Sequence, residues 1–252
     1  MNNRIPIALQ LYSVRDDCAK DLSLTLQAVA QMGYEGVEFA GYYDRSAEEL
    51  RGMCDDLELK IVGTHTGINT LLGDALEETV AFNQTLGNPY LIVPGLPGEY
   101  SNSKQTWLNT AKIFNEISEK IADQGMYTGY HNHTGEFQPM DGEMPWDIFC
   151  SNTNDSVVTQ IDTGHVLRAG ADNVTYIERY PGRSKLVHIK EFSATNDKAV
   201  IGEGDIPWDD VFNACETVGG TEWYIVEQES YAYPPIECAE RCIEGLRKMG
   251  KI

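Results

Sequence analysis

Eight short β-rich runs alternate along this chain with eight longer segments of helical period, and an order that regular leaves few folds open. The β-rich runs cover residues 6–11, 36–39, 60–64, 90–94, 127–131, 158–162, 186–190 and 223–227. Helical period marks residues 22–32, 46–56, 75–86, 106–123, 146–151, 174–180, 208–218 and 235–248. Ser46-Ala47-Glu48-Glu49 reads as a capping box, and Pro145 and Pro207 fall where a first-turn proline is tolerated. Strand-then-helix repeated eight times predicts an α/β fold, a closed (β/α)8 barrel. An open doubly wound sheet is the alternative. The residues after the first run, Leu11-Tyr12-Ser13-Val14-Arg15, lack the glycines of a dinucleotide-binding turn.

The 252 residues fit one barrel domain spanning 1–252, since such barrels run to about 250 residues. No low-complexity linker or sequence-level repeat divides the chain. A formal charge of −20 opposes binding to phosphate backbones or anionic membranes, so neither nucleic acid nor membrane is an expected partner. No run approaches the roughly 18 apolar residues of a membrane span. The opening Met1-Asn2-Asn3-Arg4-Ile5-Pro6 lacks the apolar core of a signal peptide, which makes a cytoplasmic protein the expectation. The six cysteines form no CxxC pair, so reduced thiols are expected rather than a zinc or disulfide framework.

The chemistry gathers at strand ends. His65, His131, His133, His165 and His188 all fall at or near the end of a β-rich run, and none is read as helical. In a barrel those positions converge on one mouth, where catalysis belongs. Asp162 and Glu227 close two of the runs, Glu38 lies in the second, and Glu136 follows His133 by three residues. A carboxylate buried at a strand end costs several kcal/mol unless a cation meets it. Mixed oxygen and nitrogen donors without thiolate suit one divalent ion: Mn²⁺, Mg²⁺, Co²⁺ or Zn²⁺. The competing explanation for these acids is a salt bridge to Lys190 or Arg168. In Asp162-Thr163-Gly164-His165, Gly164 is expected to let the chain turn so that His165 returns over the mouth.

These residues, taken in order, resemble the sugar phosphate isomerases/epimerases of the xylose isomerase-like barrel superfamily. The resemblance runs through Leu9-Gln10-Leu11-Tyr12-Ser13-Val14-Arg15, Gly36-Val37-Glu38-Phe39, Tyr130-His131-Asn132-His133 with Glu136-Phe137, Ile161-Asp162-Thr163-Gly164-His165, Val187-His188-Ile189-Lys190 and Val226-Glu227. It implies a metal held by Glu, Asp, His and Glu from strands five to eight. Asp162, His188 and Glu227 match by position. At strand five, His131 stands where the glutamate is expected. Glu136 is taken as the fourth ligand because a hard cation favours oxygen, with His133 as the alternative.

The implied activity is a metal-dependent isomerase or epimerase acting on a keto sugar or related polyol. A polarised carbonyl makes the neighbouring C–H acidic, and the enediolate is then reprotonated elsewhere. Glu227, His165, His133 and Lys190 are the candidate catalytic groups. His65, Glu38, His131 and Arg168 are the candidate substrate contacts. The same carbanion can expel a β-leaving group, so a lyase, dehydratase or deglycosidase is the alternative. A non-catalytic sugar-binding protein is a third reading. The small-molecule partner is a sugar, and relatives that self-associate make a homo-oligomer possible. Tyr12, Phe39, Trp208 and Tyr231 are aromatic candidates for stacking on a sugar ring, and Trp107 and Trp146 are expected to face the core.

Overall fold

The computed structural model describes residues 4–252; Met1–Asn3, part of the segment read as lacking a leader, lie outside the described residues. Eight parallel strands pair in chain order and the eighth returns to the first, closing a barrel. The strands are β1 (Ile7–Gln10), β2 (Gly36–Phe39), β3 (Lys60–His65), β4 (Tyr90–Val93), β5 (Tyr127–His131), β6 (Val158–Asp162), β7 (Leu186–Ile189) and β8 (Trp223–Val226). The outer ring is α1 (Leu22–Met32), α2 (Ala47–Asp55), α3 (Ala75–Leu86), α4 (Lys104–Ala122), α5 (Pro145–Ser151), α6 (Asn173–Arg179), α7 (Trp208–Ala214) and α8 (Pro235–Lys248). No helix among the described residues is long and apolar enough to cross a membrane.

Local chemistry accounts for several boundaries. Ser46 Oγ accepts from Glu49 N while Glu49 Oε2 accepts from Ser46 N, so both halves of the capping box form at α2. Pro145 occupies the first turn of α5. Pro207 instead precedes α7 as its N-terminal flanking residue. The seventh helix departs from regular α geometry after Ala214, continues as a π-turn over Cys215–Gly219, and stops at Gly220 in the left-handed region.

The strands alternate between two environments. Outward residues such as Val37, Leu91, Ile161, Val187 and Val226 join the large core under the helices. Inward residues Ala8, Val62, Tyr90, Ile92, Val158, Leu186 and Ile225 form a separate apolar plug at the lower end of the barrel. Two residues further along the same strands the inward positions turn polar: Gln10 after Ala8, Gln160 after Val158, His188 after Leu186, Glu227 after Ile225. A period of two thus places an apolar layer beneath a polar one, and the polar layer faces the strands' carboxyl ends.

One irregularity shapes that polar layer. The β2–β3 pairing slips between Val37↔Ile61 and Glu38↔Gly63. At Gly63 an added Cβ would lie 2.5 Å from Glu38 Oε1, so only glycine leaves room for that carboxylate.

Candidate active site

His131, Asp162, His188 and Glu227 close off β5 to β8 and converge: one donor atom from each lies within 4.8 Å of the others. All four are buried. His188 Nδ1 lies 3.0 Å from Glu227 Oε2 and 4.0 Å from Asp162 Oδ2. The two carboxylates are used differently. Asp162 Oδ1 accepts from His165 N at 2.7 Å, capping the short helix Thr163–Arg168. Asp162 Oδ2 is buried without a hydrogen-bond partner. An orphaned carboxylate oxygen beside two imidazoles and a second carboxylate is what a divalent cation would complete, so the donor set fits one.

A second tier lies directly below. Glu38 Oε2 accepts from Gln10 Nε2 at 2.7 Å and from His188 Nε2 at 2.6 Å; Glu38 Oε1 accepts from Gln160 Nε2 at 2.8 Å. Gln160 Oε1 lies 3.1 Å from His131 Nδ1 and 3.0 Å from His65 Nε2. The His65 and His188 rings stack with centroids 5.4 Å apart.

The rim carries the remaining charges. Lys190 Nζ is bonded to Glu229 Oε2 and lies 3.1 Å from His165 Nε2, 3.6 Å from Glu227 Oε2 and 3.8 Å from Asp162 Oδ2. His165 Nδ1 meets Thr134 Oγ1 at 3.2 Å, and the His133 and His165 ring centroids are 4.9 Å apart. A pocket of about 410 Å³ opens over the cluster, lined by Tyr12, His65, His131, His133, Glu227 and Glu229 among others. A second, of about 310 Å³, lies beyond the Lys190–Glu229 pair.

Burial and mutual charge set the protonation pattern. Burial raises the Asp162 carboxyl against the pull of Lys190 and His165. Burial also opposes ionisation of Glu227, but Lys190 and His188 outweigh it and hold the group well below the ordinary range. Lys190 loses more water than most lysines, yet Asp162, Glu227 and Glu229 keep it protonated beyond its usual range. The hydrogen bond from His165 is the main cause that brings Glu229 down to about 2. Burial pushes His131 well below the usual imidazole range, and lowers His133 in the same sense.

The pH dependence of the metal-free protein follows. Burial disfavours the charged His188 ring, but Glu227 and Glu38 on either side prevail and raise it to about 10. An unfolded imidazole titrates near 6.5. This stabilisation is therefore complete below about 6.5 and is lost as pH rises towards about 10. His131 has the opposite sign: the fold holds it neutral, so acid below about 6.5 destabilises. Chemical denaturation of the metal-free protein is expected to show stability falling from near-neutral pH in both directions. An alkaline limb that stayed flat would contradict a charged His188 between two carboxylates.

Several expectations need revision. Glu136 does not reach the cluster: its Oε1 accepts from Tyr130 Oη at 2.6 Å and its Oε2 from His133 N at 2.8 Å. Both oxygens hold the loop after β5, and His131 itself fills the β5 position beside Asp162. Glu38, expected to meet substrate, is fully buried beneath the cluster. Its contacts are protein contacts. His165 lies on the helix Thr163–Arg168, not in an extended loop, because Asp162 caps that turn. Gly164 serves close packing there rather than a sharp turn, since a Cβ would lie 2.9 Å from both Glu191 O and Lys190 Cγ. Arg168 projects over Phe192 at 5.3 Å and lines the outer pocket, away from the ligand cluster.

The aromatic candidates divide in the same way. Phe39 is core, and Trp208 is buried with Nε1 donating to Glu191. Tyr12 is exposed at the pocket, and Tyr231 packs around Arg15. Trp107 and Trp146 are buried as expected. Two residues escaped the sequence reading. Glu229 lies two positions past Glu227, so the period of two could have placed it on the same inward face. Gln160 lies two before Asp162 and carries the same signal.

The family model for the xylose isomerase-like TIM barrel matches residues 26–249. The chain is 24% identical over 245 residues to an inosose dehydratase of Clostridium botulinum, covering 81% of each. Among solved structures, a sugar phosphate isomerase/epimerase from Parabacteroides distasonis superposes with a TM-score of 0.83 at 26% identity, covering 96% of this chain and 98% of that one. A D-allulose 3-epimerase from Methylomonas sp. superposes with a TM-score of 0.71 at 13% identity, covering 99% and 98%.

Proposed function

Because this chain belongs to the family of xylose isomerase-like TIM barrels, we propose that it is a metal-dependent lyase that removes a proton beside the carbonyl of a keto sugar or cyclic keto-polyol and expels a β-oxygen. The observation that carries this reading is the asymmetry of the site. On the β5 side the group in the cluster is the imidazole of His131; on the β8 side stand two carboxylates, Glu227 and Glu229, with the Lys190 ammonium between them and Asp162. Inverting a stereocentre asks for a proton acceptor on each face of the carbanion. Elimination asks for one acceptor and one donor. Glu227 supplies the acceptor, and Lys190 with His165 supplies N–H donors beside it. The relatives named inosose dehydratases support the same outcome.

His131, Asp162, His188 and Glu227 would hold the cation, and two nitrogens with two oxygens favour Mn²⁺, Co²⁺ or Zn²⁺ over Mg²⁺. Such an ion would supply positive charge to polarise a substrate carbonyl. Glu227 then accepts the proton from the adjacent carbon, Lys190 and His165 donate to the departing oxygen, and Glu229 keeps the Lys190 head aimed across the mouth. Tyr12 and His65 bound the opposite wall of the pocket.

Epimerisation is the second reading. It is favoured by His133, whose ring lines the pocket from the β5 side and could act as the second base, and by the 26%-identical isomerase/epimerase. Incubation with keto sugars and inososes in D₂O separates them. Loss of water with an unsaturated product is the expected result; deuterium entering an otherwise intact sugar would replace the lyase by the epimerase.

A further inference from the structure

Two histidines of the cluster sit on one hydrogen-bonded chain, and that chain has a direction. It starts at the backbone: Tyr12 N donates to Gln10 Oε1 at 2.9 Å, so Gln10 turns its amide nitrogen to Glu38 Oε2. Glu38 is a carboxylate that only accepts here, receiving Gln10 Nε2, His188 Nε2 and Gln160 Nε2. With its nitrogen committed to Glu38, Gln160 must present its oxygen to the His131 and His65 rings. The ring atoms that face Gln160 and Glu38 from the two ligand histidines, Nδ1 of His131 and Nε2 of His188, therefore carry protons.

We propose that Glu38 and Gln160 are positioning residues that fix which ring nitrogen each histidine offers to the cation: Nε2 of His131 and Nδ1 of His188. His131 Nδ1 donates to Gln160, which leaves Nε2 with the free lone pair. His188 Nε2 donates to Glu38, so Nδ1, facing Asp162 and Glu227, is the nitrogen that would give up its proton to a cation. The two ligands therefore use opposite nitrogens because one buried carboxylate sets both. This inference rests on the metal reading above. It also gives Gly63 a purpose, since a Cβ there would strike the Glu38 oxygen that holds Gln160.

The isosteric change Glu38→Gln tests the direction of the chain. Gln10 and His188 Nε2 still require an acceptor at the Oε2 position, so the new amide nitrogen faces Gln160. Gln160 must then flip, presenting N–H to His131 Nδ1 and forcing that proton to Nε2. His188 keeps its tautomer. The expected loss of Zn²⁺ affinity is about 10–100-fold, the usual effect of disturbing the partner of a ligating histidine. The double variant Glu38→Gln with Gln160→Glu restores an acceptor facing His131 and is expected to recover affinity to within about threefold of the parent, which a merely structural defect would not do.

Zn²⁺ titration of the three proteins gives the affinities, and two-bond ¹H–¹⁵N correlations of the Zn²⁺-loaded parent read the ring nitrogens directly. Protonated Nδ1 on His131 and protonated Nε2 on His188 are expected. The reverse pattern on either ring, unchanged affinity in Glu38→Gln, or a double variant no better than the single would overturn the assignment. A parent that binds no divalent ion at all would instead overturn the metal reading on which it stands. The parent spectrum decides the matter even if a variant fails to fold.

Discussion

On the proposed reading, Asp162→Asn is expected to abolish binding of a divalent ion and to lower turnover by about 10³-fold or more, the rate equivalent of losing several kcal/mol of charge stabilisation at the carbonyl. Asparagine is the informative replacement because Asp162 has two jobs. Its Oδ1 caps the helix Thr163–Arg168 through His165 N, and an amide oxygen can keep that bond. Its Oδ2 is the buried oxygen without a partner, and an amide nitrogen there offers no lone pair. Asp162→Ala would remove both and add a capping loss of about 0.5–2 kcal/mol that has nothing to do with metal. His188→Ala removes a ligand from the adjacent strand and should behave alike in metal content. Elemental analysis is expected to find one divalent ion per chain in the parent and none in either variant. A full complement of metal in both variants would mean that the cluster of His131, Asp162, His188 and Glu227 is not the binding site.

The same pair of atoms explains what the sequence could and could not reveal. Every strand was legible to within one residue, because buried parallel strands are short apolar runs and the segments between them keep helical period. The cluster was partly legible for the same reason: Asp162 and Glu227 each end such a run, His188 lies late in one, and barrel strands end at one mouth. What spacing along one strand does not carry is how far a side chain reaches across the barrel. Glu136 is three residues from His133, and that spacing closes a small loop on Tyr130 Oη and His133 N instead of delivering an oxygen to the cluster of His131, Asp162, His188 and Glu227. Glu38 lies on the far side of the barrel in chain order but meets His188, 150 residues away, because β2 and β7 face each other across the interior. A slip in the β2–β3 register and a glycine at 63 make that meeting possible; a glycine inside a strand run hints at a bulge or close approach but does not say which side chain fills the space.

Lys190→Met should produce the largest stability loss of any single change at the mouth, and its size should depend on metal. Lys190 is the ammonium common to Asp162, Glu227 and Glu229, lying 3.8 Å and 3.6 Å from the first two and bonded to the third. It is itself only 7% exposed. Removing one partner of a buried ionic group leaves its counter-charges uncompensated, at a cost of about 3–5 kcal/mol. In the metal-free protein only imidazoles, chiefly those of His188 and His165, remain to offset Asp162 and Glu227, so the full loss is expected there. A bound divalent ion takes over two of the three carboxylates, and the loss should shrink. Denaturant unfolding of parent and variant, each with and without Zn²⁺, measures the difference, and a penalty that is the same in both states would show that Lys190 and the cation do not share those carboxylates. Methionine keeps most of the aliphatic volume, which includes the Cγ packed against Gly164, so a packing defect is kept small. Turnover carries a separate reading. In the proposed role of donor to the departing oxygen, Lys190 would contribute about 10²–10⁴-fold to rate. A variant that regains stability with metal but stays slow by that factor would assign the ammonium to the chemistry, whereas one that regains both would leave it as a counter-ion that keeps the metal-free site folded.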